Sequence, residues 1–375
     1  MSCSGEVSRP GSPRRDSLAG VAMKLVIFGL AVSSSWGNGH AVLWRALIRA
    51  FGARGHYTVF FERNVPYYAQ HRDLTVLEGG RLVLYDDWQE VLPEAKRELA
   101  DADAGMVTSY CPDALAAAEL VLASPTLRLF YDLDTPVTLS QLAAGCAVTY
   151  IGPYGLAPFD LVLSYTGGAA LSELRSRLGA KKVAPLYGSV DPDHYHPAAP
   201  EGVRAALSYL GTYAADRQVA LETLFVEPAR RRPRDRFILG GAQYPADFPW
   251  AANVFFWRHV SAEEHPKFYA SARLTLNVTR QAMAQFGWCP SGRLFEAAAC
   301  GTPIVSDWWE GLDQFFAPGR EIIVVRSTED VLTVLEGSDA ELAEIGAAAR
   351  DRALSWHTAA RRANELEKLL AQFGE

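Results

Sequence analysis

Four residues in one short stretch carry the most chemistry. Ser291 and Gly292 stand where a loop hands over to a helix, Arg293 follows, and Glu296 comes about one turn later. A helix start offers unpaired backbone N–H groups at the positive end of the helix dipole, which suits a phosphate. The guanidinium of Arg293 adds a planar fork that matches a diphosphate. A carboxylate accepts two hydrogen bonds at once, so Glu296 suits the vicinal hydroxyls of a ribose. The bland alternative for Glu296 is an ordinary surface position on a helix. Ala297, Ala298 and Ala299 let that helix sit tightly on a sheet, and Gly301 with Pro303 ends it and starts a strand.

Other segments fit the same cleft. Arg280 closes the strand end Asn277-Val278-Thr279-Arg280 and reads equally as a phosphate ligand or as half of a structural salt bridge. Gly211 and Thr212, with Asp216 and Arg217 close behind, form a second anion-receptive turn between a strand and a helix. Nearer the N-terminus, Gly37, Asn38 and Gly39 precede His40 in a serine- and glycine-rich loop. Glycines let backbone approach a ligand closely. A histidine at a helix start favours the neutral imidazole, so His40 reads as a general base, a sugar contact, or a residue bonded to its own loop. The loop lacks the three-glycine dinucleotide fingerprint, and only Glu62 places an acid near the end of the next strand, so NAD is not expected. Asp132 and Asp134 lie two positions apart and share a side if their strand continues. Asp134 then serves as acid–base group or sugar-hydroxyl ligand; a metal-binding Asp-x-Asp is the rival reading.

These residues need elements to hold them. From Met23 onward, apolar runs of strand length alternate with helix-like segments, and the runs lack strict alternation, as expected of parallel strands covered on both faces. The prediction is an α/β protein with two Rossmann-like parallel-sheet domains facing a cleft. A disordered tail is expected over 1–22, an N-terminal domain over 23–195 and a C-terminal domain over 196–355. A final helix within 356–375 crosses back to the first domain. The proline-rich segment Asp191 to Pro200 is the expected linker.

Composition narrows the classes. The net charge is −7 over 375 residues and no basic stripe appears, which excludes a nucleic-acid binder. The arginine run from Arg230 to Arg236 reads as a solvated loop. Five cysteines without metal-ligand spacing point to a reducing, cytoplasmic setting. No stretch is long enough to span a bilayer, and Lys24 interrupts the run that imitates a signal peptide.

The stretch Pro290 to Asp307 resembles the nucleotide-sugar segment of GT-B glycosyltransferases. Together with Ser34 to His40, Glu62 to Pro66, Tyr131 to Pro136 and Leu210 to Tyr213, it is similar to the CgeB family, a resemblance covering about residues 23–372. The resemblance implies a GT-B fold and a glycosyltransferase. The donor is expected to be a nucleotide-sugar, most simply a UDP-sugar, and the acceptor is left open among glycan, protein and small molecule. No metal or other cofactor is expected, because Arg293, Arg280 and the helix start meet the charge of the leaving diphosphate. Many retaining relatives carry a second glutamate eight positions earlier; here that position is Trp288. Those relatives imply retention; under inversion His40 or Asp134 becomes the base. A nucleotide-sugar epimerase and an inactive nucleotide-binding module are the alternative functions.

Overall fold

The computed structural model describes residues 22–200 and 204–374. The tail expected over 1–22 therefore lies outside the described residues except for Ala22, and Cys3 lies outside them as well. Among the described residues, thirteen strands form from the apolar runs.

The first sheet contains β1 (Lys24–Gly29), β2 (Tyr57–Arg63), β3 (Gly80–Tyr85), β4 (Ala104–Thr108), β5 (Leu127–Asp132), β6 (Leu161–Ser164) and β7 (Val183–Pro185). Its order is β3-β2-β1-β4-β5-β6-β7 and all pairings are parallel. Along β1, Val26 and Phe28 enter one hydrophobic cluster while Leu25 and Ile27 enter another on the opposite face. Burial on both faces is why these runs lack alternation.

The second sheet contains β8 (Ala205–Leu210), β9 (Phe237–Gly241), β10 (Val254–Arg258), β11 (Ala272–Asn277), β12 (Ile304–Ser306) and β13 (Ile323–Val324). Its order is β10-β9-β8-β11-β12-β13, again parallel. Each sheet reverses strand order at its first strand. Loops after β1 and β4 therefore diverge in one half, and loops after β8 and β11 in the other. Such switch points open crevices at the carboxyl ends of the strands.

Three helices, Thr135–Ala143, Ala169–Leu178 and Gln281–Phe286, form in segments to which the sequence pattern assigns no element. Pro136 occupies the first turn of the first of these, where a missing N–H costs nothing. The arginine run also differs from a plain loop. Arg230 and Arg231 end the helix Glu227–Arg231, Arg231 pairs with Glu329 at 2.5 Å and Arg232 with Asp235 at 2.5 Å.

The chain passes between the halves twice, and the passages are bonded to each other. The Val190 amide donates to the His357 carbonyl and the Ala359 amide to the Val190 carbonyl, both at 2.9 Å. Arg362, 5% exposed, donates to the Gly188 carbonyl at 3.2 Å and to His357 Nδ1 at 3.0 Å. A guanidinium only donates, so Nδ1 accepts and the other ring nitrogen carries the proton, donating to the Phe315 carbonyl at 3.3 Å. The helix Ala359–Phe373 then packs on the helix Gly39–Gly52, placing Ala363, Leu366 and Leu370 in the N-terminal core. Among the described residues, no helix is long and apolar enough to cross a membrane.

Leu366 is 1% exposed in that core. Leu366→Ala should lower urea-unfolding stability by about 2–5 kcal/mol, the cost of a leucine-sized cavity. An unchanged midpoint would remove the last helix from the N-terminal core.

Candidate functional site

A cavity of about 510 Å³ lies where the two switch points face each other. Twelve of the residues singled out from the sequence line it: Gly37, Asn38, Gly39, His40 and Asp134 from the N-terminal half, and Gly211, Thr212, Arg280, Ser291, Gly292, Arg293 and Glu296 from the C-terminal half.

The N-terminal loop is held from below by Glu62. This carboxylate is fully buried and accepts from the amides of Val32 at 2.7 Å and Ser33 at 2.9 Å, and from the Ser33 hydroxyl. Glu62 thus positions the loop instead of meeting a ribose. Asn38 adds a brace through its side chain to the Ala31 carbonyl at 3.1 Å. Gly37 has a φ of +61° and packs against Tyr67, whose hydroxyl would lie 2.9 Å from an added Cβ. His40 follows on the helix start, and neither ring nitrogen has a hydrogen-bond partner among the described residues. Burial lowers its pKa against the opposing charge of Asp134, which keeps the imidazole neutral.

Asp132 and Asp134 do not share a side. β5 ends at Asp132 and the chain turns into the helix Thr135–Ala143, with Asp134 at its N-cap. Asp134 faces the cavity and accepts from the Tyr110 hydroxyl at 2.9 Å. Asp132 is buried behind it. One of its oxygens accepts from the Asp134 amide at 3.1 Å, while the other has no partner.

In the C-terminal half the positive charges converge. Arg293 Nη1 would lie 2.9 Å from a Cβ on Gly211, so glycine there leaves the guanidinium its path. Arg217, 8% exposed, bonds the Thr212 carbonyl at 3.3 Å and leaves its Nε unpaired. Its pKa is lowered by burial and then by Arg293 and Arg280 nearby. Arg280 pairs with Asp216 at 3.3 Å, so the salt-bridge reading is realised while the side chain still lines the cavity. Ser291 makes no side-chain cap on the helix Gly292–Ala299, which leaves that helix start open to a ligand.

Glu296 is buried and still holds its charge. Burial pushes its pKa up, but His265, Arg293 and Tyr269 outweigh that and bring it below the ordinary range. The same carboxylate oxygen accepts from Tyr269 at 3.2 Å and lies 3.4 Å from His265.

Sequence reasoning missed Arg217, His265 and Tyr269 as parts of the site. Arg217 stood in view beside Asp216, but its direction depends on the 3₁₀ turn Ala215–Arg217. His265 and Tyr269 meet Glu296 only through the fold. Trp288 has a φ of +48°, accepts at its carbonyl from the Gly167 amide at 3.0 Å, and lays its indole over Gly168 and Gly311. The position of the relatives' first glutamate is here spent on joining the two halves.

Residues 217–368 match the model of a glycosyl transferase-like family. The match falls within the C-terminal half, over the strands and helices that carry the arginines and Glu296. Among solved structures, sucrose-phosphate synthase of Thermosynechococcus elongatus superposes with a TM-score of 0.69 at 13% identity, over 93% of this chain and 98% of its own. HepE of Anabaena, solved with UDP and glucose, gives 0.66 at 11% identity over 93% and 100%. AviGT4, a glycosyltransferase of avilamycin A biosynthesis, gives 0.59 at 15% over 94% and 98%. No curated protein matches the sequence. The architecture is the GT-B fold. Domain and fold together support glycosyltransferase as the enzyme class over an epimerase or an inert binding module.

Burial raises the Asp132 pKa from 3.8 to about 6. An acid whose folded value lies above its unfolded one favours folding at low pH, and that advantage is lost as pH rises from about 4 to about 6. Its charged form should cost about 3 kcal/mol at neutral pH. Asp132→Asn keeps the acceptor for the Asp134 amide, so it should be the more stable form at about pH 7.5 and lose this lead at about pH 4. Urea unfolding at both values checks this, and a variant weakened equally at both would contradict it.

Proposed function

We propose that the cleft transfers a sugar from a UDP-sugar to an acceptor hydroxyl without a metal ion. The observation that carries this reading is the convergence of Arg217, Arg280, Arg293 and an open helix start on one cavity beside the buried Glu296. The diphosphate takes the guanidiniums and the helix start, and the ribose hydroxyls take Glu296. The choice of uridine draws on HepE, solved with UDP and with UDP-glucose. As the sugar leaves, charge develops on the diphosphate, and preorganised guanidiniums meet it without a cation. His40 and Asp134 stand across the cavity on the acceptor side. The motifs shared with the CgeB family support placing the chain there, and the unpaired thiols of Cys111, Cys146, Cys289 and Cys300 support a cytoplasmic setting.

Calorimetry with UDP, GDP and ADP tests the donor site. UDP should bind tightest, and Arg293→Ala or Glu296→Ala should each weaken it by roughly 1.5–3 kcal/mol, about ten- to hundred-fold. Unchanged affinity would take the substituted residue out of the site. Hydrolysis of the donor should survive EDTA; loss restored by Mg²⁺ would contradict metal independence.

A further inference from the structure

The cavity divides its charge by domain. Its three guanidiniums, Arg217, Arg280 and Arg293, all come from the C-terminal half. Among the described residues, the N-terminal wall contributes no lysine or arginine. Of the two aspartates on that side, Asp191 is tied to Arg49 at 2.5 Å, and the Asp134 carboxylate, bonded to the Tyr110 hydroxyl at 2.9 Å, faces the cavity without a cationic partner among the described residues. The basic residues beyond that wall are already engaged. Arg63 pairs with Asp113 at 3.0 Å, and Arg72 bonds the Ser33 hydroxyl at 3.1 Å and the Asn64 side chain.

The rest of this wall is apolar and aromatic. Leu43 and Leu133 line it, and the Tyr67 ring is 46% exposed at its edge. Trp36 is already engaged by two imidazoles: its indole stacks on His71, with centroids 4.4 Å apart, and meets a tilted His259 at 3.7 Å.

We propose that the acceptor is a phosphate-free ring, an uncharged or amine-bearing glycoside; this rests on the nucleotide-sugar reading above. A phosphate on the acceptor would meet Asp134 instead of a guanidinium, and like charges repel strongly in a cavity screened from water. A sugar ring lays its C–H face on Tyr67 and turns hydroxyls to Asp134 and His40. An ammonium group is attracted both to Asp134 and to the tyrosine face. In the transfer the acceptor oxygen bonds the anomeric carbon while the bond to the β-phosphate oxygen breaks. The electron pair leaves with UDP, and the hydroxyl proton passes to His40 or Asp134.

The test is acceptor binding by NMR saturation transfer to the full chain saturated with UDP, using methyl glucoside, glucosamine and glucose 6-phosphate. UDP saturation fills the arginine site, so the phosphate probe reports the other wall alone. It also separates two failures: absence of UDP binding would sink the nucleotide reading before any acceptor is compared. The phosphate-free rings should bind at least about ten-fold more tightly than the phosphate. Tyr67→Arg, at an exposed position, should narrow that gap by placing a guanidinium on the wall. Equal or tighter binding of glucose 6-phosphate, or no binding of either phosphate-free ring, overturns the proposal.

Discussion

Positive charge held without full compensation governs this structure. Arg217 is buried with an unpaired Nε, and its charge is opposed by burial and by the neighbouring Arg293 and Arg280. Among the described residues, only Arg280 of the three has a carboxylate in contact, Asp216. Glu296 helps Arg293 at a distance but is bonded to Tyr269 and His265. Like charges are gathered this way only on a scaffold that forbids them to spread, and the scaffold here is two parallel sheets whose switch points face each other. Gly211 removes the side chain that would block Arg293, and the three small residues of the helix Gly292–Ala299 seat its start at the cavity. A diphosphate supplies the missing negative charge and replaces repulsion with charge-assisted hydrogen bonds.

The second constraint is that the cavity belongs to neither half alone. Trp288 binds Gly167 across the divide, the Trp36 indole meets the His259 ring at 3.7 Å, and the helix Gln281–Phe286 touches the helix Thr135–Ala143. The two passages of the chain are pinned at Val190, His357 and Arg362, and Phe315 lies between Trp288 and His357. His357 is held neutral there, its pKa pushed down to about 3 by burial and by Arg362.

The strands were legible because burial on both faces writes itself as an uninterrupted apolar run, as in Leu25-Val26-Ile27-Phe28. The helix Thr135–Ala143 was not, because Pro136 reads as a breaker until its place in the first turn is known. Residues near one another in sequence, such as Ser291, Gly292, Arg293 and Glu296, announced their chemistry through helix geometry. Those brought together by the fold did not. Glu62, the one acid near the end of its strand, braces the β1 loop, a role that no spacing in the sequence encodes. His265 and Tyr269 reach Glu296 from a separate helix, and no spacing in the sequence encodes that meeting. Trp288 broke the two-glutamate pattern without showing why; its left-handed backbone and its contact with Gly167 supply the reason.

The central claim is that uncompensated guanidinium charge in the C-terminal half defines the donor site. A crystal structure of the chain with UDP tests it most directly. The account predicts the β-phosphate within hydrogen-bond reach of Arg293 and the Gly292 amide, Arg217 close behind, and the ribose hydroxyls on Glu296. A nucleotide seated instead on the Gly37–His40 loop, with the three arginines left facing solvent, would contradict it.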